Sequence, residues 1–242
     1  MRWLVFAKRN AKELLRDPLT LLFGVGFPVV LLLLLTMIQR NIPVPLFELE
    51  SLTPGIVVFG YSFLALFAAL LISRDRATAF LQRLYVSPMR AADFILGYLI
   101  PMVPMAAAQC LLTYLTAALL GLQLTVHILL SGALSLLSAM MFIALGLLLG
   151  SILNDKQVGG ICGALLTNLS AWLSGTWFSL DLIGGWFKKL AFVLPFANGV
   201  ELGRVVNYGD YVNITPYLWW CLGYAAVLTA AAIAVFRRKM QA

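Results

Sequence analysis

The chain has 242 residues, 62% hydrophobic and 11% charged, with a mean hydropathy of +0.95, whereas a soluble domain carries about 25% charged residues. A core of this size cannot hide so much apolar surface from water without lipid, which excludes a soluble protein and a separate aqueous catalytic domain. Cys110, Cys162 and Cys221 lie far apart inside apolar runs, against a disulfide framework or a closely spaced zinc site, and the net charge of +7 takes its meaning from where the charges fall.

Residues 2–16 place Trp3, Leu4, Ala7, Ala11, Leu14 and Leu15 at helical spacing on one side, with Lys8, Arg9, Lys12, Glu13 and Arg16 on the other. This predicts an interfacial amphipathic helix within residues 1–18; the alternative is a basic flank that only fixes topology. A spanning helix needs about 20 mostly apolar residues, and runs at 19–38, 54–73, 94–120, 126–153, 158–178 and 217–236 supply six. After the first run comes Gln39-Arg40-Asn41, without a small-residue cleavage site, so it reads as a retained span and not a signal peptide. The third and fourth are longer than a bilayer requires, and Pro101 and Pro104 mark a candidate kink in the third.

Two segments between the spans stand out. In the connection at 74–93, Ala77, Phe80, Leu81, Leu84 and Tyr85 repeat with helical period, and Pro88 ends the helix near Ser87. A short helix with one apolar side results, which either rests on lipid or docks into a groove on another protein, with Arg76 and Arg83 sharing a flank. In residues 179–213, the stretches 183–194 and 196–205 are apolar but too short to cross, and Gly184-Gly185, Pro195 and Asn198-Gly199 separate them. They read as a re-entrant helix pair. A seventh span would instead put Arg237, Arg238 and Lys239 on the wrong side. Glu201 and Arg204, three residues apart, can meet on one helix face, either as an interfacial pair capping an outer helix or at the external mouth of a pathway.

Basic residues decide the orientation. Thirteen fall in the N-terminal segment, the second and fourth connections and the C-terminus, against four in the first and fifth connections. Both termini are expected to be cytoplasmic, so topology and anionic lipid heads account for the positive balance without a nucleic-acid partner. No G-x-x-x-x-G-K-[ST] loop, H-E-x-x-H or paired C-x-x-C is present, so the chain has no catalytic, cofactor-binding or metal motif of its own. His127 lacks a serine in nucleophile context, and none of the six runs carries a charge, against a proton relay. Gly146/Gly150, Gly159/Gly163 and Gly199/Gly203 each allow close helix approach, although nineteen glycines generate such pairs by chance.

The whole arrangement resembles the membrane subunit of type-2 ATP-binding-cassette (ABC) exporters: an all-α integral membrane protein forming one permease domain over 1–242, with six spans, an amphipathic N-terminal helix and a hairpin after the fifth span. The stretch from Arg74-Asp75-Arg76-Ala77-Thr78 to Ser87-Pro88 looks like the family's connection segment, with Asp75 where Glu is common and Ala77 where Gly is common. Leu194-Pro195-Phe196 through Glu201 and Arg204 is similar to its Leu-Pro turn and short outer helix. The resemblance implies a homodimer of permease copies that binds two copies of a cytoplasmic nucleotide-binding ATPase, with ATP and Mg on that partner. It further implies a coupling helix at Arg76, Phe80, Leu81, Arg83, Leu84 and Tyr85 that docks on the ATPase, and Glu201 and Arg204 as external gate candidates. Export of an amphipathic or lipid-linked substrate (drug, glycolipid or polysaccharide) across a bacterial cytoplasmic (inner) membrane follows. A secondary carrier or channel, or an intramembrane enzyme, is the alternative.

Overall fold

A computed structural model describes residues 2–43, 47–85 and 89–241; the stop expected at Pro88 lies outside the described residues. The chain opens on α1 (Arg2–Arg16), followed by α2 (Pro18–Gln39), α3 (Leu49–Ala77), the short α4 (Ala79–Tyr85), α5 (Ala91–Leu119) and α6 (Val126–Ile152). Residues 155–173 form α7; Leu180–Ile183, Gly185–Val193 and Pro195–Asn207 form α8, α9 and α10; the last helix is α11 (Ile214–Gln241). Among the described residues every regular element is a helix.

Five of them, α2, α3, α5, α6 and α11, are long and apolar enough to cross a membrane. The run expected at 158–178 becomes α7, which is not among these five. Asn154 caps it, with the Gln157 side chain reaching back to the Asn154 amide. Its middle, Gly159–Leu166, is wound as a π-helix, and its helical part ends at Leu173. The early end has a local cause: Gly175 turns left-handed at φ +70°, and Thr176 Oγ1 donates to Gly55 O at 3.2 Å, tying the turn to α3. At the other end of the chain order, Asp17 accepts from the Leu19 and Thr20 amides at 3.1 and 3.3 Å and so starts α2, with Pro18 at the first helical position.

The bundle is built around α3, whose apolar window is 83% buried, against 11% for α11. That contrast sets α3 as the axis and α11 as an outer member. The closest contact is between α3 and α6. A Cβ at Gly146 would lie 2.1 Å from Ala65 O, and one at Gly150 would lie 2.4 Å from Ala69 O, so the two backbones touch. Gly199 of α10 meets Ser138 of α6, and Gly203 meets Pro54 of α3. Both glycine pairs are therefore used inside one chain.

The buried side of α1 differs from the stripe read in the sequence. Phe6, Ala7, Asn10 and Leu14 are buried while Leu4, Val5 and Leu15 are exposed. The reason is α5: the Asn10 side-chain amide donates to Gly97 O at 3.0 Å, and the Phe6 ring lies so close to Gly97 that a Cβ there would be 2.4 Å away. Specific contacts turn the helix about its axis, and hydrophobicity alone does not report them.

The α3–α6 contact yields a testable contrast. Gly146→Ala forces a methyl into a backbone carbonyl and is expected to cost about 1–3 kcal/mol or more. Gly159→Ala, whose Cβ meets nothing within 4 Å, should hold or slightly raise the unfolding temperature. Thermal unfolding of both variants in detergent checks the difference.

Candidate functional site

Where α1, α3 and α5 meet, a carboxylate is sealed in the protein. Asp75, near the end of α3, is 4% exposed. Arg9 grips it with both arms, Nη1 to Oδ2 at 2.6 Å and Nη2 to Oδ1 at 2.8 Å, and the Tyr98 hydroxyl donates to Oδ2 at 2.8 Å. A two-armed guanidinium contact is the strongest and most directional pairing available to a carboxylate. Arg9 also meets Glu13 Oε2 at 2.8 Å. Burial opposes the charge on Arg9, but the bond and the charge of Asp75 hold its pKa above the ordinary arginine value. The neighbouring Glu13 carboxyl is pushed up by burial.

The same arginine carries α4. Its guanidinium carbon lies 4.4 Å above the centre of the Phe80 ring, and Phe6 stacks on Phe80 with ring centres 6.3 Å apart. Tyr85 stands edge-on to Phe94 and Phe236, at 5.9 and 6.1 Å. Leu81 is 1% exposed, and Phe80, Leu84 and Tyr85 are half-buried against the same core. Arg76 Nη1 donates to Gly150 O and Leu153 O at 2.7 and 3.2 Å, closing the carbonyl end of α6. The apolar side read as a docking surface thus faces α1, α5 and α11 of its own chain. Arg83 is the one position of the six whose side chain is exposed, and Ala77 and Thr78, just ahead of α4, are exposed too.

The other end of α3 holds the second pair. Arg204 Nη1 meets Glu201 Oε1 at 2.8 Å, the contact expected from their spacing. Arg204 also donates to Ser51 O at 3.1 Å and Gly175 O at 2.8 Å, and Asn207 donates to Glu50 O at 2.8 Å. Backbone acceptors leave no mark in a sequence, so this clamp of α10 onto α3 and the turn after α7 was not readable there. His127 Nδ1 lies 2.5 Å from the Tyr211 hydroxyl, within an exposed contact between the start of α6 and the segment before α11. Among the described residues no group of three or more His, Cys, Asp and Glu side chains is placed to hold a metal.

The Asp75 junction escaped the sequence reading because Arg9 is 66 residues away. The available signal was a carboxylate between two arginines at the end of an apolar run. Asp75→Asn is expected to destabilise the protein by about 1–2 kcal/mol, because Tyr98 and Arg9 lose a charged acceptor while Arg9 stays partly exposed and paired with Glu13. Combining it with Arg9→Met should recover part of the loss, since the two share one interaction; a double-mutant cycle on thermal unfolding measures this.

Residues 1–208 match the family model described as ABC-2 type transporter. A search of curated proteins finds no match.

Proposed function

Because this chain belongs to the ABC-2 type transporter family, we propose that it is the permease half of an ATP-driven exporter, an integral membrane component whose ATP and Mg are held by two copies of a cytoplasmic ATPase subunit. Two permease chains form the working dimer. In this reading α7 completes a six-span set with the five long apolar helices, both termini are cytoplasmic, and α1 lies along the membrane surface with Leu4, Val5 and Leu15 toward lipid. Residues 179–213 form the outer re-entrant hairpin. The cargo is amphipathic or lipid-linked and leaves the cytoplasm or inner leaflet of a bacterial cytoplasmic membrane.

The observation that carries the reading is the mounting of α4. A coupling element must present one side to the ATPase and be fastened by the other to the helices it moves. Phe80, Leu81, Leu84 and Tyr85 supply the fastening, and Arg83 with the Ala77-Thr78 turn supplies the exposed side. Displacement of α4 reaches Arg9 through Phe80 and α3 through Asp75. Since α3 is one helix from Leu49 to Ala77, its other end carries the motion to Ser51 and the Arg204 clamp. Glu201 then steadies Arg204 as part of an external gate. The runner-up, an ATP-independent carrier or channel, gives α4 no partner to meet.

In a background lacking Cys110, Cys162 and Cys221, Arg83→Cys should crosslink to the ATPase with a yield that changes when ATP is added. Crosslinking only to membrane-dissolved probes would support the carrier. Glu201→Gln keeps the size of the side chain and removes the charge held against Arg204. It is expected to lower transport several-fold with ATPase binding unchanged, measured by transport into inside-out vesicles beside co-purification of the ATPase. Unaltered transport would reduce the pair to a structural clamp.

A further inference from the structure

Next to the Asp75 junction, the bend from α1 into α2 borders an open groove of about 930 Å³ floored by Val5 and Pro18 and flanked by Lys8, Arg9, Lys12, Arg16 and Arg74 together with Glu13 and Asp17. The two carboxylates already have donors. Glu13 meets Arg9, and Asp17 accepts from the Leu19 and Thr20 amides and from Thr20 Oγ1. Arg9 is held in turn by Asp75. That leaves Lys8, Lys12 and Arg16, all exposed and in no ion pair among the described residues, together with the exposed Arg74, which makes no contact ion pair and acts on Glu13 and Asp17 only at longer range. Lys8, Lys12 and Arg16 follow one another at four-residue intervals along α1, where like charges repel. An anion between them relieves that repulsion.

A smaller cavity, of about 130 Å³, adjoins the groove. It shares Glu13, Asp17 and Arg74 with it and is otherwise lined mainly by Leu19, Phe67, Leu70 and Leu71. An open groove flanked by basic side chains thus leads, past the shared rim of Glu13, Asp17 and Arg74, to a narrow cleft floored by Leu19, Phe67, Leu70 and Leu71 at the point where a membrane-spanning helix begins. That sequence of surfaces matches a molecule with an anionic head and an acyl chain, and a soluble phosphate has no use for the cleft. We propose that the α1–α2 bend is a specific binding site for an anionic phospholipid, with the phosphate among Lys8, Lys12, Arg16 and Arg74 and the first few methylenes of an acyl chain against Leu19 and Leu70. The bound lipid braces α1 against α3 beside the Arg9–Asp75 contact and so stiffens the mount of α4. The site stands independently of what the protein transports.

The test uses the purified full chain in detergent, with dioleoylphosphatidylglycerol, dioleoylphosphatidylcholine and glycerol 3-phosphate as probes, read by native mass spectrometry and thermal unfolding. Phosphatidylglycerol should be retained and should raise the unfolding temperature, with phosphatidylcholine and glycerol 3-phosphate much weaker. Lys12→Gln combined with Arg74→Gln should weaken phosphatidylglycerol binding about 25-fold, at about fivefold per cation neutralised near a membrane surface. Arg237→Gln with Arg238→Gln, at the exposed end of α11, should leave binding unchanged. Leu70→Trp, which fills the cleft, should weaken the phospholipid and spare glycerol 3-phosphate. If the double variant does not yield monodisperse protein, Lys8→Gln, an exposed position, is read in its place with a fivefold loss expected. Equal retention of phosphatidylcholine, an equal loss in the α11 variant, or glycerol 3-phosphate binding as tightly as the lipid would each overturn the site.

Discussion

The fold hangs on a single buried carboxylate. Asp75 is nearly free of solvent contact, and an ionised carboxylate in such a place is tolerated only when charge and hydrogen bonds replace the lost water. Arg9 and Tyr98 provide both, and they come from two other helices. Satisfying one charge therefore specifies where α1 and α5 stand relative to α3. Once Arg9 is placed, its flat guanidinium becomes the seat for Phe80, and α4 follows. Apolar packing between these helices could slide or rotate at modest cost; a two-armed ion pair admits one geometry.

The same helix that carries Asp75 near one end carries Ser51 near the other, where Arg204 is bonded. At 1.5 Å per residue these points are about 36 Å apart, more than the hydrocarbon thickness of a bilayer. Two charged anchorages, one at each end of the most buried helix, are joined by a rod pressed against α6 through Gly146 and Gly150. Glycine at these contacts removes the side-chain spacer, so the α3 and α6 backbones bear directly on each other. A displacement at one anchorage has little compliance to lose on its way to the other.

Between the anchorages the interior carries hydroxyl pairs in place of charges. The Tyr61 hydroxyl lies 2.9 Å from Ser135 Oγ and the Tyr114 hydroxyl 2.8 Å from Ser131 Oγ, and Ser131 also donates to Gly203 O at 3.0 Å. These tie α3 and α5 to α6, and α6 to α10, without burying an ion away from water. In lipid such bonds add modest stability but strong preference for one pairing of faces.

The sequence by itself determined the class of the protein and its long helices. Composition excludes a water-soluble fold, and 20-residue apolar runs need no tertiary information, because the bilayer sets their length and the backbone must satisfy itself within each helix. It also placed Glu201 beside Arg204, since a separation of three on a helix is a local property. Tertiary structure decided which faces are used. The α1 stripe turned because Asn10 finds Gly97 O, the α4 stripe closed on its own chain because Arg9 and Phe6 receive Phe80, and the run at 158–178 stopped at Leu173 because the turn after it is tied to Gly55. Each outcome depends on partners tens of residues away, and several are backbone carbonyls that every residue type presents alike. Periodicity reports that a helix has an apolar side, but only the assembled neighbours say whether that side meets lipid, another protein or the chain itself.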